Sequence, residues 1–193
     1  YGPQKRTLFS STYNFAKDKK WLKKGAIVAA FQKIKESRHN RKFQSLVLNS
    51  QIENVEIFSI NADFVGIKTD ISSLSYGFEY TYNDVNSIAY GENLSLSSIK
   101  DSNSIFKIPT RYPSGGSNYS TAAHYYEFRK DLSEKSNFNF GMRYTYTWLN
   151  AEWEEEALID ANLNSIKTKN SSLTGSLGYV TRSKNNWQIN ANF

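Results

Sequence analysis

The chain has 193 residues, a formal net charge of +6, 15% aromatic residues and no cysteine. The lack of cysteine excludes a disulfide framework and any thiolate site. The longest apolar run, about Gly25 to Phe31, is far short of the roughly 20 residues that a membrane-spanning helix needs. Lysines and arginines are dispersed, apart from a cluster at Lys17, Lys19, Lys20, Lys23 and Lys24. No nucleic-acid motif accompanies them, so the basic balance reads as solvated surface rather than as a footprint for DNA or RNA.

Taken in order, the chain reads as a series of strands, because apolar and polar residues alternate with the period of two that a pleated strand imposes. The first expected strand covers residues 7–16, with Phe9, Tyr13 and Phe15 in phase, and ends in the lysine-rich turn. The second covers 26–36, where Ile27, Ala29 and Phe31 share a face until Lys33 breaks it. The third covers 54–66, with Phe58, Ile60, Ala62 and Phe64 on one side and Ser59, Asn61 and Asp63 on the other. The fourth, 73–82, is the clearest: Leu74, Tyr76, Phe78, Tyr80 and Tyr82 oppose Ser73, Ser75, Gly77, Glu79 and Thr81. A fifth strand at 119–131 carries Ala122, His124, Tyr126 and Phe128 in phase. In the sixth, Phe138, Phe140, Met142, Tyr144, Tyr146 and Trp148 oppose Asn137, Asn139, Gly141, Arg143, Thr145 and Thr147. The seventh, 171–182, places Leu173, Leu177 and Tyr179 together, and the eighth begins at Trp187.

The connections are as informative as the strands. Short ones are expected at Ile67–Ser72, Leu132–Lys135 and Ser183–Asn186, and long ones at Ser37–Glu53, Asn83–Asn118 and Asn150–Asn170. A soluble sandwich has no reason to keep this rhythm. A transmembrane barrel does, with short periplasmic turns and long extracellular loops. In lipid every backbone polar group must be paired within the protein, so strands cross a bilayer only as a closed barrel, apolar outside and polar inside. Trp148 and Trp187 then suit the two interfaces, where a ring sits among headgroups with its polar end wet. The chain is therefore expected to be all-β, an antiparallel transmembrane β-barrel segment.

Several stretches resemble passages of TonB-dependent outer-membrane receptors of the Bacteroidetes type. Gln32-Lys-Ile-Lys-Glu-Ser-Arg-His-Asn-Arg-Lys-Phe43 is similar to their Q-x-x-x-E-S-R-x-x-R-x-F passage. Leu74-Ser-Tyr-Gly-Phe-Glu79 resembles their L-x-Y-G-x-E strand, and Thr110-Arg-Tyr-Pro-Ser-Gly-Gly-Ser117 their R-Y-P loop. Phe138-Asn-Phe-Gly-Met-Arg-Tyr144 is similar to the G-x-R-Y strand, and Leu173-Thr-Gly-Ser-Leu-Gly-Tyr179 with Trp187 to the approach to a G-F-R-x-P motif.

The resemblance implies about eight strands of a barrel of about 22, plugged by an N-terminal domain and energised through the TonB complex in the bacterial outer membrane. Residues 1–193 would be a partial barrel domain. The plug, the TonB box and the C-terminal strands would lie outside the sequence. The implied function is active uptake of a scarce ligand such as an iron–siderophore or haem. The implied partners are the TonB complex, the receptor's own plug, that ligand and lipopolysaccharide, without nucleic acid and without a cofactor. The family carries no catalytic residues, and with only two histidines and no nucleophile motif no enzyme is expected.

The candidate ligand-binding residues are Arg38, His39, Arg41, Glu79 and Arg143. The first three sit in an expected basic outer loop, which an anionic chelate would suit and which plain solvation would also explain. Glu79 and Arg143 fall on the expected lumen face, where a charge is tolerated; a structural network there explains them as well as contact with a plug or ligand. His124 reads as an interfacial ring rather than a metal ligand. The acidic stretch from Glu152 to Asp160 matches no calcium loop and reads as solvated. No metal site is expected. Two other readings stay open: a complete small barrel of about eight strands with a structural or adhesive role, closed by pairing its first strand with its last, and a soluble β-sandwich that binds carbohydrate.

Overall fold

The computed structural model describes residues 2–19, 21–95, 104–154, 164–182 and 187–193. Its strands are β1 (Gln4–Lys19), β2 (Leu22–Asn40), β3 (Val47–Lys68), β4 (Ser72–Asn93), the short β5 (Ile105–Lys107), β6 (Ser117–Ser133), β7 (Ser136–Glu152), β8 (Ser165–Arg182) and β9 (Gln188–Asn192). They form one antiparallel meander in the order β1-β2-β3-β4-β6-β7-β8-β9, with β5 paired to the far end of β4. Among the described residues β1 and β9 are not paired with each other, so the sheet stays open, and the small closed barrel is not what this chain forms. Among the described residues no second sheet stacks on the first, which is not the arrangement of a sandwich.

The expected strands are present, but several are longer than the alternation suggests. β2 continues through His39 and β3 begins at Val47, so most of the expected outer loop at 37–53 is a hydrogen-bonded ladder from Ser37↔Ile52 to Asn40↔Asn49. β4 likewise runs on through Asn93, deep into the segment expected to be irregular. The physical reason is that the alternation marks only that part of a strand which has one apolar face. Where both faces are polar the apolar signal disappears, and backbone pairing continues without it. Residues 96–103, the acidic stretch from residue 155 to 160, Lys20 and the turn at 183–186 lie outside the described residues.

Short connections stay short. At the β3–β4 turn the Thr69 N–H donates to the Ser72 carbonyl at 2.8 Å and the Ser72 N–H donates to Thr69 Oγ1 at 3.0 Å. The β2–β3 loop closes through Ser45 N–H to the Lys42 carbonyl at 3.0 Å, with Gln44 at φ 60°.

The register joins the aromatic sides of all strands into one face. One rung runs Phe9, Phe31, Phe58, Tyr82, Ser120, Trp148. Two rungs further in come Tyr13, Ile27, Ala62, Phe78, His124, Tyr144 and Leu173. The rings touch across strands: Phe64 and Tyr76 lie 5.3 Å apart between centroids, Tyr76 and Tyr126 6.4 Å, and Tyr80 and Trp148 6.1 Å. Gly25 serves this face, because the rings of Phe15 and Phe64 close over it and a Cβ there would come within 2.6 Å of Phe15. Phe58 and Phe78 are each 43% exposed, Tyr144 39% and Phe140 38%. These are the residues a soluble core would bury. The apolar band also drifts along the rungs, from Phe9–Phe15 on β1 to Leu173–Tyr179 on β8. Tilted barrel strands require that drift if the band is to stay level in a membrane.

Candidate functional site: the inner face of the wall

The face opposite the aromatic band is polar, with small residues near its centre. Two side chains there span an intervening strand. The Tyr125 hydroxyl on β6 donates to the Asp63 carboxylate on β3, crossing β4 at Gly77. The guanidinium of Arg143 on β7 pairs with the carboxylate of Glu79 on β4, crossing β6 at Ala123. Ala123 is only 3% exposed beneath that bridge. Strands lie about 4.8 Å apart, so each bridge spans nearly 10 Å, a reach that suits side chains converging on a concave side. Arg143 also stands over the Tyr125 ring at 5.9 Å and donates from Nε to Thr145 Oγ1 at 3.3 Å. The result is one network, Asp63–Tyr125–Arg143–Glu79, held by β3, β4, β6 and β7. Beside it, towards the short turns, is a hollow of about 790 Å³ edged by Lys24, Asp63, Ser75, Tyr125 and Glu127.

A second cluster lies at the long-loop end of the same face. Glu36, Glu53 and Ser87 occupy one rung of β2, β3 and β4. Glu53 is only 4% exposed, and neither of its carboxylate oxygens meets a hydrogen-bond donor. Arg111, from the segment between β5 and β6, stands between the two carboxylates, 3.9 Å from Glu36 and 3.7 Å from Glu53. It also stacks against Tyr112 at 5.8 Å. The segment is held along its length: Gln51 donates to the Pro109 carbonyl at 3.3 Å, and Gly115 and Gly116 exchange backbone bonds of 2.9 Å with Glu152. Arg111 thus ties the R-Y-P stretch to the glutamate of the E-S-R stretch.

The five predicted site residues do not form one site. Glu79 and Arg143 come together on the inner face. Arg38 lies in β2 at the long-loop end, with its Nε 2.6 Å from Glu36 Oε1. His39, expected in a loop, is a strand residue on the outer face, with Nδ1 2.8 Å from Ser50 Oγ. Arg41 follows in the exposed β2–β3 loop. Val28 shares the rung of Glu79 through Asn61, so Arg38 stands roughly 33 Å from that rung along β2 at 3.3 Å per residue. His124, expected at an interface, lies inside the aromatic band, edge-on to Tyr144 at 5.5 Å. Sequence reasoning missed Asp63, Tyr125, Glu53 and Arg111. The first two have a signal in hindsight: a lumen-facing tyrosine beside a lumen-facing glycine on the neighbouring strand leaves room for a cross-strand reach. No group of three or more potential ligand side chains among the described residues is arranged to hold a metal ion.

No protein-family model and no curated protein sequence matches the chain. Solved structures do. The copper transporter OprC aligns with a TM-score of 0.75 at 9% identity, over 98% of this chain and 29% of its own. The ferric yersiniabactin uptake receptor FyuA from Yersinia pestis aligns at 0.65 and 14% identity, over 99% and 28%. The ferric citrate transporter FecA, in its unliganded form, aligns at 0.63 and 15% identity, over 98% and 27%. The chain therefore spans less than a third of the length of these structures. At such identities the likeness establishes the fold.

Proposed function

We propose that this chain, which has the fold of the outer-membrane barrel of TonB-dependent receptors, is the stretch of wall through which an active uptake receptor faces lipid on one side and plug and ligand on the other. One observation carries the reading: a band rich in aromatic and apolar residues crosses an open antiparallel sheet, while the reverse face is polar and holds the cross-strand pairs of Asp63, Tyr125, Glu79 and Arg143. That division suits a lipid boundary outside and a filled, aqueous lumen inside.

Residues 1–193 supply part of the barrel domain, and the plug, TonB box and remaining strands belong to the rest of the receptor. The ligand is a metal-bearing chelate, an iron–siderophore or haem. The substrates of the structural neighbours, copper, ferric yersiniabactin and ferric citrate, support the metal-bearing class. The inner face and its outer-end cluster supply the wall of the ligand's path, and the hollow near Asp63 and Glu127 faces the plug. The lipid partners are the outer membrane and its lipopolysaccharide. No reaction is performed; the work is conformational and comes through TonB.

The test is uptake by cells carrying the full-length receptor that contains this chain. Radiolabelled ferric siderophores, haem and copper are offered with and without a functional TonB complex. TonB-dependent accumulation of an iron chelate or haem is the expected result. Recovery of the receptor outside the outer-membrane fraction, or uptake indifferent to TonB, overturns the reading.

A further inference from the structure

At the rung of Glu36, Glu53 and Ser87 the chain's own groups leave a buried charge short of partners. Glu53 is 4% exposed and Ser87 2%. Among the described residues neither oxygen of Glu53, nor Ser87 Oγ, has a hydrogen-bond partner. The two residues lie directly opposite each other on β3 and β4. Glu36, next along the rung on β2, has Arg38 Nε at 2.6 Å. Glu53 has the guanidinium of Arg111, but at 3.7 Å, whereas a direct N–H···O contact is about 2.9 Å. Arg111 is not free to settle on the rung as a dissolved guanidinium would be, because its segment is pinned on both sides. Before it, Gln51 donates to the Pro109 carbonyl, and after it Gly115 and Gly116 exchange backbone bonds with Glu152.

We propose that this rung is a receptor site for an ammonium or guanidinium group of the transported ligand, and that Arg111 stands in for that group until the ligand arrives. Electrostatics decides the sign of the group. Drawing Arg111 away to an anion would leave Glu53 buried without a counter-charge, a strongly unfavourable change. A cationic group that takes the place of Arg111 keeps the charge matched. Its N–H donors also close on the Glu53 oxygens and on Ser87 Oγ, which Arg111 leaves unbonded. The displaced Arg111 side chain, already 32% exposed, passes to water. The inference rests on the uptake reading above and narrows its ligand to a chelate that carries such a group.

The test follows amide hydrogen exchange of residues 104–116 by mass spectrometry in the full-length receptor in detergent. Four probes are offered at equal concentration. Butylguanidinium carries charge and donors, butylurea donors without charge, tetramethylammonium charge without donors, and citrate the opposite charge. The expected result is a saturable rise in exchange with butylguanidinium and with none of the others. By calorimetry, Arg111→Ala tightens butylguanidinium binding roughly threefold or more, because a tethered competitor is gone. Glu53→Gln weakens it roughly tenfold or more. No response to butylguanidinium, an equal response to butylurea or tetramethylammonium, release of the segment by citrate, or unchanged affinity in Arg111→Ala overturns the site. The comparison of probes on the wild-type receptor needs no variant to fold. TonB-dependent uptake of a metal chelate by a receptor that ignores butylguanidinium removes only this site. Uptake indifferent to TonB removes the reading beneath it.

Discussion

The bridge from Tyr125 to Asp63 exists because residue 77 has no side chain. A Cβ at Gly77 would overlap the Tyr125 hydroxyl and stand 2.8 Å from the Ala62 carbonyl oxygen. The carbonyl belongs to the ladder and has little freedom, whereas the tyrosine can swing away, so Gly77→Ala should expel Tyr125 and free Asp63. A hydrogen bond to a charged acceptor contributes about 1.5–3 kcal/mol. Asp63 is an exposed residue on this face, so water replaces much of the loss and about 1 kcal/mol is expected. Tyr125→Phe keeps the ring and deletes the same bond, and should cost a similar amount. The two changes break one interaction, so the double variant should be no less stable than the weaker single variant by more than about 0.5 kcal/mol. The assay is reversible denaturant unfolding of the full-length receptor in lipid vesicles, followed by tryptophan fluorescence and by heat-modifiable mobility. Additive losses would refute the argument, because they would mean that the glycine serves backbone packing and not the passage of Tyr125.

Other substitutions separate the two faces. Phe78→Arg places a charge in the aromatic band and should cost about 2–4 kcal/mol if that position lies near mid-membrane, read as loss of receptor from the outer-membrane fraction. A tolerated arginine there would contradict the lipid-facing assignment. Arg143→Gln leaves Glu79 without its partner, while Glu79→Gln with Arg143→Gln removes both charges. The double variant should therefore be at least as stable as Arg143→Gln alone, by the same unfolding assay. Arg111→Ala leaves buried Glu53 without its neighbouring cation, while Glu36 keeps Arg38. It should loosen the segment around residues 104–116, read as faster limited proteolysis on the outer surface of intact cells, and Glu53→Gln should reverse part of the effect.

Strand existence and face polarity were legible because a strand with one apolar face carries a two-residue period. Leu74 to Tyr82 and Phe138 to Trp148 stand where the sequence places them, with their rings on one side. What was not legible is what that period does not carry. The ladder from Ser37↔Ile52 to Asn40↔Asn49 is built mainly from polar residues on both faces, so it reads as a polar loop although its backbone is paired. His39 was placed by its basic neighbours, and its side is set by the strand register, which no loop assignment contains. Glu79 and Arg143 were found separately, as charges on lumen positions, but their contact depends on the pairing of β4, β6 and β7. Gly77 and Ala123 signal the crossings only once that pairing is known.

The same pairing changes what a lumen charge means. Glu79 and Arg143 attract notice in the sequence because a charge in a membrane-spanning strand is expensive without water or a partner. In the folded wall they satisfy one another, with the Tyr125–Asp63 bond beside them. A group whose charge is already matched inside the wall has less to gain from a ligand than one whose charge is open, since binding must first break what is there. The network is thus better suited to fixing the spacing of β3, β4, β6 and β7 than to selecting a substrate. Glu53 differs, being buried with both oxygens lacking a donor and Arg111 just beyond hydrogen-bond reach. A small shift of the segment that carries Arg111 would either close that gap or open it. On the proposed uptake function, specificity for a ligand arriving from outside would therefore be sought at the rung of Glu36, Glu53 and Ser87, where the wall's own electrostatics are incomplete, and less at the midwall residues that first drew attention.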